Sequence, residues 1–160
     1  MNGKSSMSSS VESENFWAEK EKEKGGKVRF FTFATFIGNT GGRPATLGGL
    51  LYLIDERLYF EDFEKDNWFA KIVSSKKNYE KIELEIDSKD IEEIKTISKS
   101  TALNCIAGII KDEDTKPVSI VTKALFQSIV QIRMKNSISY FLDIMRDKEF
   151  VAALKLDRKP

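Results

Sequence analysis

The chain has 160 residues, with 26 Lys and Arg against 25 Asp and Glu and a net charge of +1. That balance excludes a chain-wide electrostatic footprint for nucleic acid or an acidic membrane, and leaves room only for a local patch. There is no His, which removes His acid–base catalysis, Ser–His and Cys–His nucleophile pairs and His metal ligands; the single Cys, Cys105, can form neither an internal disulfide nor a zinc cluster.

Residues 1–13 hold serines at 5, 6, 8, 9, 10 and 13 and little to bury, which predicts disorder. Glu14 to Lys24 reads as a short helix or linker. Its Phe16 and Trp17 are positioned to dock, while Glu19 to Lys24 alternates in charge and is solvated. Gly25-Gly26 ends this disordered or helical tail, residues 1–26. A single folded domain then spans 27–160.

From there the hydrophobic period is mostly two. Val28 to Ile37 predicts a strand with Phe31 and Phe33 on one face and Phe30 and Phe36 on the other, buried on at least part of both. Gly38 to Pro44 is a loop. Leu47 to Ile54 and Arg57 to Phe63 form a hairpin around Asp55-Glu56, a poor type I′ pair. Glu64 to Tyr79 is a polar connection whose apolar stretch, Trp68 to Val73, reads as a strand extension. Ile82, Leu84 and Ile86 alternate with Glu83, Glu85 and Asp87, the pattern of a strand with one wet face. Ser88-Lys89-Asp90 turns the chain, and Ile91, Ile94 and Ile97 suggest a plain or bulged strand.

An insertion near 98–126 follows. Ala102 to Ile110 fits a helix or a strand, and Val118 to Leu125 fits one more strand. Ser128 to Met134 and Ile138 to Ile144 form the last hairpin around Lys135-Asn136-Ser137. Asp147 caps a helix to about Leu156, with Phe150, Val151, Ala153 and Leu154 on one face. No internal repeat is present.

Gly49-Leu50-Leu51-Tyr52-Leu53-Ile54-Asp55-Glu56-Arg57-Leu58-Tyr59-Phe60 resembles the hairpin of GRAM and bacterial pleckstrin-homology-like domains. Ile82-Glu83-Leu84-Glu85-Ile86 with Asp90 to Ile94, and Ile129 to Phe150, are similar to later phrases of the same family. The resemblance covers about residues 27–156. It implies a mainly β fold: an antiparallel barrel or roll of about seven strands capped by a C-terminal helix. It also implies binding of lipids, phosphoinositides or proteins rather than catalysis. Fold alone does not fix function.

Two groups are candidate binding residues. Lys27, Arg29 and Arg43 flank the Gly38 to Pro44 loop, whose backbone amides can form an anion nest; the alternative is a plain hairpin loop. Lys65, Lys71, Lys76 and Lys77 surround Trp68 and Phe69, a mixture suited to an anionic interface; the alternative is a solvated loop with Trp68 over the barrel end. Cys105, among Leu103, Ile106 and Ile109, reads as a buried inert thiol. The carboxylates Glu83, Glu85 and Asp87, and Asp112 to Asp114, read as solvated faces.

The sequence-based expectation is a non-enzymatic binding module with no cofactor and no metal. It would dock to a protein partner or an anionic membrane surface, and a strand edge would allow self-association. The alternative is a carrier holding a small apolar ligand inside the barrel, lined by the aromatics of Phe30 to Phe36. No window reaches ~18 apolar residues, so no transmembrane helix is expected. The polar N-terminus lacks a signal-peptide core. Together with a free Cys, this predicts a cytoplasmic protein, in solution or peripheral to a membrane.

Overall fold

The computed structural model describes residues 5–63, 82–125 and 127–157. The alternating segments pair as one antiparallel sheet: β1 (Val28–Asn39), β2 (Leu47–Ile54), β3 (Arg57–Asp62), β4 (Glu83–Asp87), β5 (Ile91–Ser98), β6 (Ser128–Met134) and β7 (Ser139–Ile144). Their order across the sheet is β4-β3-β2-β1-β7-β6-β5. The fold is therefore the expected seven-stranded antiparallel roll, but it is open, and closure into a barrel is corrected. Edge strands β4 and β5 do not pair with each other. Instead, Val118 N–H donates to Thr96 O on β5 at 2.9 Å, so the chain's own insertion occupies part of that edge. Of the plain and bulged alternatives for β5, the structure has the bulged one, a register shift between Ile91 and Glu93.

The β2–β3 hairpin turns on two residues, as Ile54 pairs with Arg57. Asp55 takes a positive φ of 49°, an unfavourable conformation for most residues that Asp tolerates. Two bonds hold it there: Asp55 N–H donates to Lys27 O at 3.0 Å, and Asp55 Oδ1 accepts from Lys27 N–H at 3.0 Å.

Strand alternation divides the buried residues between two faces. On the inner face, Phe30, Ala34 and Phe36 pack with Leu51, Leu53, Leu58, Phe60, Ile132 and Leu142. Helix α4 (Asp147–Asp157) is the last element in the chain, and its Phe150 and Leu154, four apart on one helical face, are fully buried in this cluster. The aromatics expected to line a ligand cavity thus split. Phe30 and Phe36 pack against Phe150 and Phe60, while Phe31 and Phe33 point outward and are about half exposed.

Gly49 lies on the inner face against Phe60: a Cβ there would meet the Phe60 ring at 2.6 Å and crowd the Glu61 carbonyl. Gly49→Val is accordingly expected to destabilise the fold by about 1–3 kcal/mol through overpacking. Chemical denaturation checks this, and an unchanged midpoint would mean that Phe60 gives way freely.

The outer face is covered at its far end by the insertion. Here α2 (Lys99–Ile106) starts at Ser98, whose hydroxyl accepts from Thr101 N–H, a capping bond the chain supplies locally. Ala102, Cys105 and Ile106 then pack on Ile37, Ile97, Ile129 and Phe141. Burial holds the Cys105 thiol above its ordinary pKa, and the charge of Asp112 adds to this. The following segment crosses the sheet and is fixed by buried polar groups. Thr115 Oγ1 donates to Gln131 Oε1 at 2.6 Å, Gln131 Nε2 donates to Asp112 O and Ser139 Oγ, and Ser139 Oγ donates to Asp112 Oδ2 at 2.8 Å. Residues 120–125, expected as a strand, form the short helix α3 (Ile120–Leu125). The local reason is Ser119, whose hydroxyl accepts from Thr122 N–H at 3.1 Å and starts a helical turn.

Candidate functional site

At the other end of the outer face lies α1 (Ser5–Lys24), which begins well before the predicted helical stretch. Of residues 10–24, the ones withdrawn from solvent are Trp17, Lys20, Glu21 and Lys24. This i, i+3, i+4, i+7 spacing is one helical stripe. Trp17 packs on Phe31 and Tyr52 with ring centroids 4.6 and 5.6 Å away. Lys20 Nζ pairs with Glu61 at 2.9 Å, and Lys24 Nζ lies 4.9 Å above the Tyr59 ring. Tyr52 stacks on Tyr59 and donates to Glu61 Oε1 at 2.6 Å. Burial, reinforced by that bond, holds its phenol well above the ordinary pKa.

Glu21 closes the junction with the sheet, accepting from Val28 N–H and from Lys27 Nζ, both at 3.0 Å. The Val28 bond, then the Lys27 bond, lowers the Glu21 pKa from its ordinary 4.5. A lowered folded-state pKa stabilises docking above the ordinary value, and that contribution is lost as pH falls through it. In a Trp68→Phe background, Trp17 emission should shift to the red as pH falls below about 4.5. Glu21→Gln should remove that step, and an identical acid transition in both proteins would contradict the assignment.

Between these two covered ends lies a strip of the outer face whose described side chains are exposed. The strip consists of Phe33 and Thr35 on β1, Gly48 on β2, Phe63 after β3, and Asp143 and Met145 at the end of β7, around an open depression of about 280 Å³. Sheet pairing places them side by side: Thr35 faces Gly48 and Asp143, Phe63 N–H donates to Gly48 O, and Met145 N–H donates to Phe33 O. Phe33 is 55% exposed, Phe63 50% and Met145 74%, although alternation and apolar character would bury them in a sheet covered on both faces. Phe33 and Phe63 meet edge to face at 5.7 Å. A Cβ on Gly48 would meet nothing closer than Phe63, at 4.0 Å, so the floor is shallow there. Phe31 and Phe16 continue the strip to α1. On the opposite side Asp143 already accepts from Gln127 Nε2, and Lys123 pairs with Asp147, which ties α3 to this border.

The sequence-predicted basic residues lie elsewhere. Lys27 is exposed at the start of β1, paired with Glu21, and Arg29 Nη1 donates to Asp55 O at 3.0 Å. Arg43 is exposed in the loop beyond the other end of β1. The structure does not bring Arg43 together with Lys27 and Arg29, which are separated from it by roughly 30 Å of strand. Lys65, Trp68, Lys71, Lys76 and Lys77 lie outside the described residues, as does the proposed strand extension. A larger polar recess of about 520 Å³ lies beside Lys24 and Arg57, where Arg57 pairs with Glu85 and Asp87 with Lys89. Among the described residues no cluster of three or more Cys, Asp or Glu is placed to hold a metal ion, and no helix is long and apolar enough to cross a membrane.

Sequence reasoning missed the strip, though part of its signal was readable. Phe31 and Phe33 share one face by alternation, but nothing local shows which parts of that face α1 and the insertion cover.

These features define a class: an open antiparallel roll with a C-terminal helix on one face and a partly covered apolar strip on the other. No protein-family model matches the chain, and no curated protein matches it significantly. It is similar in fold to the crystal structure of the C-terminal domain of an unknown protein from Leishmania infantum. That likeness has a TM-score of 0.51 and 14% identity, and covers 92% of this chain and 98% of the other. At this identity the likeness is one of fold alone.

Proposed function

We propose that the protein is a non-enzymatic binding module that docks a protein partner on the exposed apolar strip between α1 and α2. The observation that carries this reading is the group Phe33, Phe63 and Met145, three large apolar side chains each half exposed or more on the outer sheet face. With Phe16 and Phe31 it presents on the order of 500 Å² of apolar surface, given ~150–250 Å² per aromatic side chain. Patches of ~300–600 Å² on monomers are often functional. The depression, about 280 Å³ and open to solvent, does not enclose a ligand in the way small-molecule sites of ~300–1,000 Å³ do. The dispersal of Lys27, Arg29 and Arg43 disfavours a phosphate-binding loop, and the pleckstrin-homology-like resemblance is compatible with a binding role without choosing the ligand.

The test compares proteins retained from an extract of the native cells by the wild type, by Phe33→Asp and by Arg43→Glu. A protein lost with Phe33→Asp and kept with Arg43→Glu supports the reading. Equal retention by all three, or salt-sensitive binding to anionic vesicles that Phe33→Asp leaves intact, counts against it.

A further inference from the structure

We infer that α1 is an exchangeable element: two copies of the chain dimerise by trading their N-terminal helices, the α1 of each lying on the Tyr52–Tyr59 surface of the other. The first observation is where the helix is held. The contacts that fix α1 run from helix to sheet: Trp17 to Phe31 and Tyr52, Lys20 to Glu61, Lys24 to Tyr59 and Glu21 to Val28. None of them depends on which copy the helix belongs to, so the helix of a second copy remakes them all. The inner-face cluster contains no residue of α1, so the sheet stays folded while the helix moves.

The second observation is the joint. Residues 25–27 alone connect α1 to β1, and they turn the chain tightly. Gly25 N–H and Gly26 N–H both donate to Glu21 O, at 2.9 and 3.1 Å, the bonds of a helix end closed by a left-handed glycine. Gly25 holds φ at 74°, and a Cβ on Gly26 would meet Asp55 Oδ2 at 2.3 Å. A short joint held in so demanding a conformation favours swapping, because opening it relieves the joint while the other contacts are kept. Extended, its three residues span roughly 10 Å, enough to lead the helix onto an adjoining copy.

The third observation is what the surface selects. Trp17 fills the space between Phe31 and Tyr52, and three residues on Lys20 meets the Glu61 carboxylate that Tyr52 also bonds. Four residues further, Lys24 lies over Tyr59. An occupant therefore needs an aromatic anchor followed at helical spacing by two lysines. The helix of a second copy carries that pattern, residue for residue, at the same concentration as the surface itself.

The test uses two full-length variants, Lys20→Glu and Glu61→Lys. Alone, each sets like charges against each other at a pair whose side chains are 16% and 18% exposed. That holds within one chain and between identical copies, so α1 detaches and helicity falls. Mixed, the two variants bring opposite charges together in both contacts of an exchanged pair and in neither unexchanged chain. The inference expects a heterodimer by analytical ultracentrifugation, tighter by roughly tenfold or more than self-association of either variant, and recovery of the lost helicity. A mixture that stays monomeric would overturn it, and recovery of helicity by the double variant in one chain would then make the contact intramolecular only. A dimer that forms equally with every charge arrangement would place the interface elsewhere and also overturn it. Gly25→Val gives a second reading should Glu61→Lys fold poorly. It penalises the left-handed joint of the closed chain and not the opened one, so dimerisation should strengthen by roughly tenfold or more. Unchanged or weaker association, or none in either protein, would overturn the inference. The docking reading of the outer strip stands or falls separately, because none of these substitutions touches Phe33, Phe63 or Met145.

Discussion

Phe150→Ala is expected to cost about 3–5 kcal/mol, the usual range for emptying a core aromatic site. Phe150 is fully buried and packs on Phe30 at 6.2 Å between ring centroids. With Leu154 it is one of the two fully buried residues by which α4 closes the inner face, Val151 and Ala153 packing beside them. Without the ring, a cavity opens between helix and sheet, and the surrounding strands cannot collapse into it because their pairing holds them apart. For a chain of this size the loss corresponds to a fall of roughly 10 °C or more in thermal midpoint. Calorimetry checks it. A fall of only a degree or two would show that α4 contributes little to the fold.

The second large effect falls on α1. Trp17→Ala is expected to release the helix, at a cost of about 2 kcal/mol, less than the ~3–5 kcal/mol of a fully buried Trp. Trp17 is the large apolar side chain of α1 that packs into the cluster of Tyr52, Ile54 and Tyr59. Its other sheet-facing residues are charged, and the Lys20–Glu61 pair, with side chains 16% and 18% exposed, is opened to water and screened once the Trp17 ring beside it is gone. A detached 20-residue helix rich in serine is marginal in water, so far-UV circular dichroism should lose most of the α1 signal. The sheet should remain folded, because its inner-face cluster contains no residue of α1. The same change uncovers Tyr52 and Tyr59 and enlarges the apolar strip, so Trp17→Ala should also bind the dye ANS more strongly than the wild type. Retained helicity with unchanged dye binding would contradict the docking described for α1.

Much of the fold was readable in the residues. Leu47–Ile54 and Ser128–Met134 are strands with the predicted bounds, because short apolar runs bracketed by turn residues suit strands buried on both faces, as Leu51 to Ile54 and Ile129 to Ile132 are. Asp147 begins the last helix as expected, with Phe150 and Leu154 inward. Two places were less readable. Residues 118–125 have β-like composition, yet Ser119 at the start of the run sets a helical turn, and in a six-residue helix a cap outweighs propensity. The serines at the N-terminus suggest disorder by composition, while α1 is observed from Ser5. Its contact with the sheet rests on Trp17, and a single anchoring residue leaves little periodic signal.

The candidate site was harder to read than the fold, for a geometric reason. Charge spacing drew attention to Lys27, Arg29 and Arg43, which the length of β1 then separates. Phe33, Phe63 and Met145 stand 30 and 82 positions apart in sequence and become neighbours only through the pairing of β1 with β2 and β7. An apolar residue in a strand is normally read as core, and its exposure depends on what covers the face, which is a tertiary fact.

The central claim is that the middle of the outer face is where a partner protein docks. Site-specific photo-crosslinking tests it most directly, with the reactive side chain placed at Thr35 in the strip and, in a control, at Lys89, which is 74% exposed at the turn between β4 and β5. The account predicts a discrete crosslinked protein from position 35 in native cells, absent from position 89 and abolished by Met145→Lys. The same crosslinking pattern from both positions, or crosslinks from position 35 to lipid alone, would contradict it.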